Sequence, residues 1–141
     1  MNKKQILYYK NILGAVSSRA SCNRAIVGAI LVRNRSIIST GYNGSPRGLQ
    51  HCDDIGHLIS NNHCVRTIHA EVNAILCAAR NGININGCEL YSSYKPCFQC
   101  MKIIINSGIK RVFYFNDYKD DFQKEFEKNK YCKFIKIKCV E

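Results

Sequence analysis

Four residues in two short segments carry the chemistry of this sequence. His69 and Glu71 stand two apart in His69-Ala-Glu71, and Cys97 and Cys100 stand three apart behind a proline in Pro96-Cys97-Phe-Gln-Cys100. Each half alone is weak. A histidine near a glutamate on a helix is more often structural, and a lone Cys-x-x-Cys is equally a redox pair or half of a zinc ribbon. Together they describe one kind of metal site. A catalytic zinc takes three protein ligands and keeps its fourth position for water. One imidazole and two thiolates supply three. Cys97 and Cys100 share one helix face, and Pro96 opens that helix, so both sulfurs sit in its first turn, where the positive end of the dipole favours thiolate. His69 and Glu71 begin the next alanine-rich segment, so two helix N-termini converge on the metal. Glu71 is left beside the metal, able to take a proton from a water whose pKa zinc lowers from ~15.7 to about 7. A closed zinc site or a buried helix pair would leave Glu71 without a role at this spacing.

The elements that position these groups follow from periodicity. Ile6, Tyr9, Leu13, Val16 and Ala20 fall at helical spacing over residues 5–20. Ala25 to Val32 is a β-branched apolar run, Arg33-Asn34-Arg35 a turn, and Ser36 to Tyr42 the returning strand of a hairpin. Residues 43–67 show no period, which inside a compact domain points to a functional or externally held loop. A helix over Ala70 to Arg80 stops at Asn81-Gly82. Strands are expected at Glu89 to Ser92, Lys110 to Phe115 and Phe134 to Val140. Helices are expected from Pro96 to Asn106 and from Tyr118 to Asn129, the latter with Phe122 and Phe126 on one face. The order predicts one α/β layered domain over residues 1–141, with a mixed sheet of about five strands. The hairpin is antiparallel and the later crossovers favour parallel pairing.

The two motifs together resemble the signature of zinc-dependent nucleobase deaminases. Gly41-Tyr42-Asn43-Gly44-Ser45-Pro46, the stretch from Cys64 to Ile75, and Ala78-Ala-Arg-Asn-Gly82 narrow this further. From about Cys22 to Tyr118 the sequence resembles the dCMP deaminases, with the Gly-Tyr-Asn-Gly segment more specific than the zinc motif. The resemblance implies a cytidine-deaminase-like three-layer fold and hydrolysis of dCMP to dUMP and ammonia, which feeds thymidylate synthesis. It implies that Asn43 contacts the sugar, that Ala70 and the Ser92 and Ser93 backbone meet the pyrimidine, and that Tyr118 walls the pocket. Ser45, Arg47, Lys95 and Lys119 are open alternatives for the phosphate, and Arg80 for a subunit interface. The family further implies a homo-oligomer, often a hexamer, activated by dCTP with Mg2+ and inhibited by dTTP. The sequence lacks a long extension after the last strand, which bears on interface and regulation rather than on chemistry.

Nine cysteines are many for an intracellular chain, and their odd number argues against a disulfide scaffold. Cys22, Cys52, His57 and Cys64 form a second set, with His63 as the substitute for His57. Four such ligands make a closed tetrahedral zinc site, which would order a loop whose backbone alone costs ~1–2 kcal/mol per residue to fix. Bacterial and phage relatives carry a structural zinc in this region, so the resemblance agrees. Cys77 reads as helix core, and Cys88, Cys132 and Cys139 as plain strand or surface residues.

The remaining bounds are broad. No apolar run is long enough to span a bilayer, and the start of the sequence lacks a signal-peptide core, so a cytoplasmic protein without membrane contact is expected. The net charge of +11 suits phosphate-bearing partners, although Lys, Asn and Ile are abundant throughout. A tRNA adenosine deaminase shares the zinc motif, but the sequence shows no basic-aromatic array for RNA, so nucleic acid is not the expected partner. A free cytidine deaminase and a catalytically inactive nucleotide-binding zinc scaffold complete the alternatives.

Overall fold

The computed structural model describes residues 1–139. Helix α1 (Lys3–Ser17) is opened by a reciprocal capping box: the Asn2 side chain accepts from Gln5 N, and the Gln5 side chain accepts from Asn2 N. Strands β1 (Gly28–Arg33) and β2 (Ser36–Tyr42) form the expected hairpin. Asn34 and Arg35 both take positive φ in its turn, the backbone whose twist matches the flanking strands. There follow α2 (Cys52–Ile55), β3 (Ile59–Ser60), β4 (His63–Cys64), α3 (Ala70–Arg80), β5 (Glu89–Tyr94), α4 (Phe98–Asn106), β6 (Arg111–Asn116), α5 (Gln123–Glu127) and β7 (Lys133–Lys136).

The main sheet has the order β2-β1-β5-β6-β7. Strand β1 runs antiparallel to β2 and β5, while β5, β6 and β7 are parallel, with α4 and α5 in their crossovers. Side chains alternate across it. Ala29, Leu31, Leu90 and Val112 meet Ala74 and Ala78 of α3 and Ile104 of α4. Ile30, Val32, Tyr91 and Phe115 face the other way and meet Tyr9 and Leu13 of α1. The result is the helix–sheet–helix layering expected of a cytidine-deaminase-like α/β fold.

The alanine stripe of α3 lets it lie close on β2, and Gly41 completes that approach. A Cβ at Gly41 would lie 2.3 Å from both the Ala70 carbonyl oxygen and the Ala74 nitrogen. Both are backbone atoms and cannot swing away. Gly41→Ala is expected to cost about 1–3 kcal/mol through overpacking, seen as a lower urea midpoint at unchanged slope. Wild-type stability in that variant would mean that α3 does not pack this closely.

The helix expected over residues 118–129 shrinks to α5. Phe122 adopts φ 70°, a left-handed conformation unfavourable for a bulky side chain. Phe122 and Phe126 do share a partner: their rings lie 5.4 and 6.2 Å from that of Phe98. The patternless loop contains α2 and the β3–β4 hairpin, both too short to give a periodic signal. The first strand of the β1–β2 hairpin begins at Gly28 rather than Ala25. The helix after Pro96 starts at Phe98, with Cys97 as its N-cap. The last strand covers Lys133–Lys136 and ends before residues 137–139, short of the expected bound; Val140 lies outside the described residues. No helix among the described residues is long and apolar enough to cross a membrane.

Candidate active site

Two helix starts face one another at one end of the sheet. His69 is the N-cap of α3 and Cys97 the N-cap of α4, and neither side chain caps its own helix. They turn to each other instead. His69 Nδ1 lies 3.5 Å from Cys97 Sγ and 3.3 Å from Cys100 Sγ. A tetrahedron built on zinc–sulfur and zinc–nitrogen bonds has a nitrogen-to-sulfur edge of roughly 3.6 Å, so the three residues fit zinc. They run from exposed His69 to buried Cys100, and all three ligand atoms lie within 4.8 Å of one another. Among the described residues no fourth Cys, His, Asp or Glu joins this group. That leaves a fourth vertex for a ligand other than these side-chain types.

Glu71 sits beside the trio without belonging to it. Its Oε2 is 3.7 Å from Cys100 Sγ, and its Oε1 accepts a hydrogen bond from Ser92 Oγ at 3.3 Å. Burial raises its pKa above the ordinary carboxylate value, against the pull of its own backbone N–H, His69 and Ser92. A carboxylate so placed holds a proton more readily than one in water. The sulfurs divide in the opposite sense. Cys97 is lowered to about 4, chiefly by the hydrogen bond from Cys100, with burial opposing and His69 assisting. Cys100 is raised by the same contact, by burial and by Glu71. His69 is raised, first by its hydrogen bond with Cys97. A cation bound here would ionise the second thiol and release its proton.

The loop between β2 and α3 gathers a second group. Cys22, Cys52, His57 and Cys64 bring their ligand atoms within 4.8 Å of one another. Cys22 Sγ is 3.3 Å from His57 Nδ1, and Cys52 Sγ is 3.5 Å from Cys64 Sγ. These edges fit a tetrahedral site of three sulfurs and one nitrogen, with every vertex supplied by the chain. Of the two histidine candidates, His57 enters the group. His63 is exposed in β4, and His51 Nδ1 pairs with Ser21 Oγ at 2.7 Å. Burial and Cys64 raise Cys52 to about 12, while at Cys64 burial is opposed by hydrogen bonds from the Arg66 and Leu58 backbone, Cys52 and His57, which together bring it to about 6.

The family model for the cytidine and deoxycytidylate deaminase zinc-binding region matches residues 2–116, most of the chain. The chain belongs to that family. ComE operon protein 2 of Bacillus subtilis is 50% identical over 101 residues, covering 72% of this chain and 53% of that protein. The chain thus spans about half the length of this relative. The deoxycytidylate deaminase of Enterobacteria phage T2 is 37% identical over 141 residues, with 73% of this chain and 75% of the phage protein covered. Among solved structures, the dCMP deaminase of cyanophage S-TIM5 in complex with dCMP and dUMP superposes with a TM-score of 0.84 at 29% identity, covering 97% of this chain and 99% of that one.

Around the His69, Cys97 and Cys100 group the remaining site candidates are distributed as follows. Ala70 is fully buried behind His69. Asn43 is buried and already employed: its Oδ1 accepts from Val27 N at 2.8 Å, and its Nδ2 donates to Ala25 O and Cys22 O at 2.6 and 3.3 Å. A sugar contact would draw on the remaining Oδ1 lone pair. Ser92 offers its side chain to Glu71, and Ser93 Oγ accepts from Gly28 N at 3.0 Å, so neither hydroxyl is unpartnered. Ser45 Oγ is buried without a partner. It lies one residue beyond a backbone bridge between Gly44 and Ile68, next to His69. Tyr118 is half-exposed. Of the phosphate alternatives, Lys95 pairs with Glu127, whereas Arg47 and Lys119 are exposed.

Some positioning groups gave no sequence signal. Asn73, one helical turn after His69, donates from Nδ2 to Tyr42 O at 2.8 Å and to Ile68 O at 3.2 Å, clamping the Gly-Tyr-Asn-Gly turn to the histidine. Asn116 Nδ2 donates to Ser93 O at 2.8 Å.

Proposed function

We propose that the chain is a zinc-dependent dCMP deaminase, converting dCMP and water to dUMP and ammonia in the cytoplasm and supplying dUMP for thymidylate synthesis. One observation carries the reading: a site of one nitrogen and two sulfurs with an open vertex and a buried carboxylate beside it, in a chain that elsewhere builds a closed four-ligand site. His69, Cys97 and Cys100 would hold the zinc, which when bound would make a water acidic enough to act as nucleophile at neutral pH. Glu71 would take the two protons of that water in turn, passing the first to the pyrimidine ring nitrogen and the second to the amine that leaves as ammonia. Ser92 holds Glu71 in position for both transfers. Asn43, Ser45, Ala70, Ser93 and Tyr118 shape the substrate side, and the unpartnered Ser45 hydroxyl is available to a polar group of the nucleotide. Cys22, Cys52, His57 and Cys64 hold a second, structural zinc.

The discriminating test is ammonia release from dCMP, deoxycytidine and a tRNA anticodon stem-loop by the zinc-loaded protein. dCMP is expected to be the preferred substrate by at least about tenfold, the effect of ~1.4 kcal/mol of phosphate recognition. Preference for the nucleoside or the RNA would replace this reading with a cytidine or tRNA adenosine deaminase. The family resemblance adds a homo-oligomer, with a hexamer favoured, and dCTP with Mg2+ as activator against dTTP as inhibitor. Sedimentation and the shape of the dCMP saturation curve report on these directly.

A further inference from the structure

We propose that Asp120 and Gln123 are positioning residues of the deaminase centre, forming a strap that holds the two-thiol turn in its zinc-binding geometry. This rests on the dCMP deaminase reading above. A helix whose N-cap side chain is committed elsewhere leaves its first N–H groups without an acceptor. In α4 that is the situation, because Cys97 turns its sulfur to His69 and caps nothing. The missing acceptor comes from 22 residues away: Asp120 Oδ2 accepts from Phe98 N at 2.9 Å. Gln123 secures the other side of the same turn. It is only 5% exposed. Its Nε2 donates to Pro96 O at 2.8 Å and to Tyr118 O at 3.0 Å, and its Oε1 accepts from Asp120 N at 3.2 Å.

The four contacts bracket Cys97 on both sides, at Pro96 and at Phe98, and tie the bracket to the backbone of Tyr118. The Phe98 ring packs on Phe122 and Phe126, so the apolar contacts follow the same path. The left-handed backbone of Phe122 fits this picture. Strained residues persist where their surroundings over-determine them, and they cluster at functional sites. The segment gives up most of a helix in order to lie across the thiol turn. The Asp120 carboxylate hydrogen-bonds the Phe98 backbone and none of the His69, Cys97 or Cys100 side chains, so it acts through the turn and through its charge near His69.

The test compares Asp120→Ala, Asp120→Asn and Gln123→Glu with wild type. Asp121→Ala, a change in a neighbouring exposed acid, is the charge control. The zinc-loaded proteins are challenged with a chelator, and zinc release is followed alongside kcat, KM and the visible spectrum of the cobalt-substituted site. Groups that orient metal ligands typically affect metal affinity or activity by about 10–100-fold. Asp120→Ala is expected to release zinc from the three-ligand site about 10–100-fold faster, with a matching fall in kcat, a smaller change in KM and altered cobalt bands. Zinc in the four-ligand cluster is the internal reference and keeps its rate. Asp120→Asn restores most of the loss, since an amide oxygen still accepts from Phe98 N–H. Gln123→Glu keeps the acceptor for Asp120 N–H and loses the donor to Pro96, so it also releases zinc faster. It provides the reading if the alanine variant folds poorly. Wild-type release and spectra in both Asp120→Ala and Gln123→Glu, with an active parent, overturn the strap alone. A parent that binds no zinc through His69, Cys97 and Cys100 overturns the strap and the deaminase reading together.

Discussion

Glu71→Gln and Glu71→Ala proteins are expected to bind zinc as the wild type does and to deaminate dCMP about 10²–10⁴-fold more slowly, the contribution of a positioned acid–base group. The separation of the two properties follows from geometry. The ligand atoms of His69, Cys97 and Cys100 group together without Glu71, whose nearer oxygen meets Cys100 at 3.7 Å. Removing the carboxylate therefore leaves the metal's ligands in place and removes the proton carrier. Burial raises the affinity of Glu71 for a proton, so this carboxylate holds a transferred proton more readily than one in water. Metal analysis and steady-state kinetics on the same preparation check this. Turnover within a few-fold of wild type in the glutamine variant would mean that another group moves the proton.

The second large effect concerns stability. Cys64→Ala is expected to lower the zinc content from two per chain to one and to unfold the loop that joins β2 to α3. Structural zinc sites contribute ~10–16 kcal/mol of apparent binding free energy in small domains. The loop has little else to hold it. Ile55, Leu58, Ile59 and Val65 are exposed, and the β3–β4 hairpin has two residues on each side. What remains includes Arg66 to the Gly56 carbonyl and Arg24 to the Asn62 carbonyl, both at 3.0 Å. Because the loop delivers Ile68 to its bridge with Gly44, its loss also displaces His69, and turnover falls with stability. Thermal unfolding and limited proteolysis with and without chelator measure the effect. A variant that keeps two zincs and its protease resistance contradicts the closed site.

The legible parts of this molecule were those written in side-chain type and period. The apolar, β-branched run from Ala25 to Val32 marked the first strand of the hairpin, because a strand covered on both faces reads as a near-continuous apolar stretch. The histidine and cysteine sets could be assembled because so few side chains bind zinc. The preferred second set, Cys22, Cys52, His57 and Cys64, is the group that the fold brings together. Hydrogen bonds made across the chain were not legible. Nothing in residues 118–129 announces that Asp120 serves a helix start 22 residues earlier, or that Phe122 takes a left-handed backbone where a helix is expected. Likewise the family resemblance assigned Asn43 to the sugar, while its side chain mostly supports the segment from Cys22 to Val27. A buried amide satisfies backbone wherever the fold presents it, and that depends on coordinates rather than on spacing.

Anomalous diffraction at the zinc edge, from crystals grown with a tight-binding transition-state analogue of dCMP, tests the centre most directly. The expected map has a peak bonded to His69 Nδ1, Cys97 Sγ and Cys100 Sγ, at roughly 2.0–2.3 Å. An oxygen of the analogue occupies the fourth position within hydrogen-bond reach of Glu71. A peak capped by a fourth side chain, or none between those three residues, would contradict it.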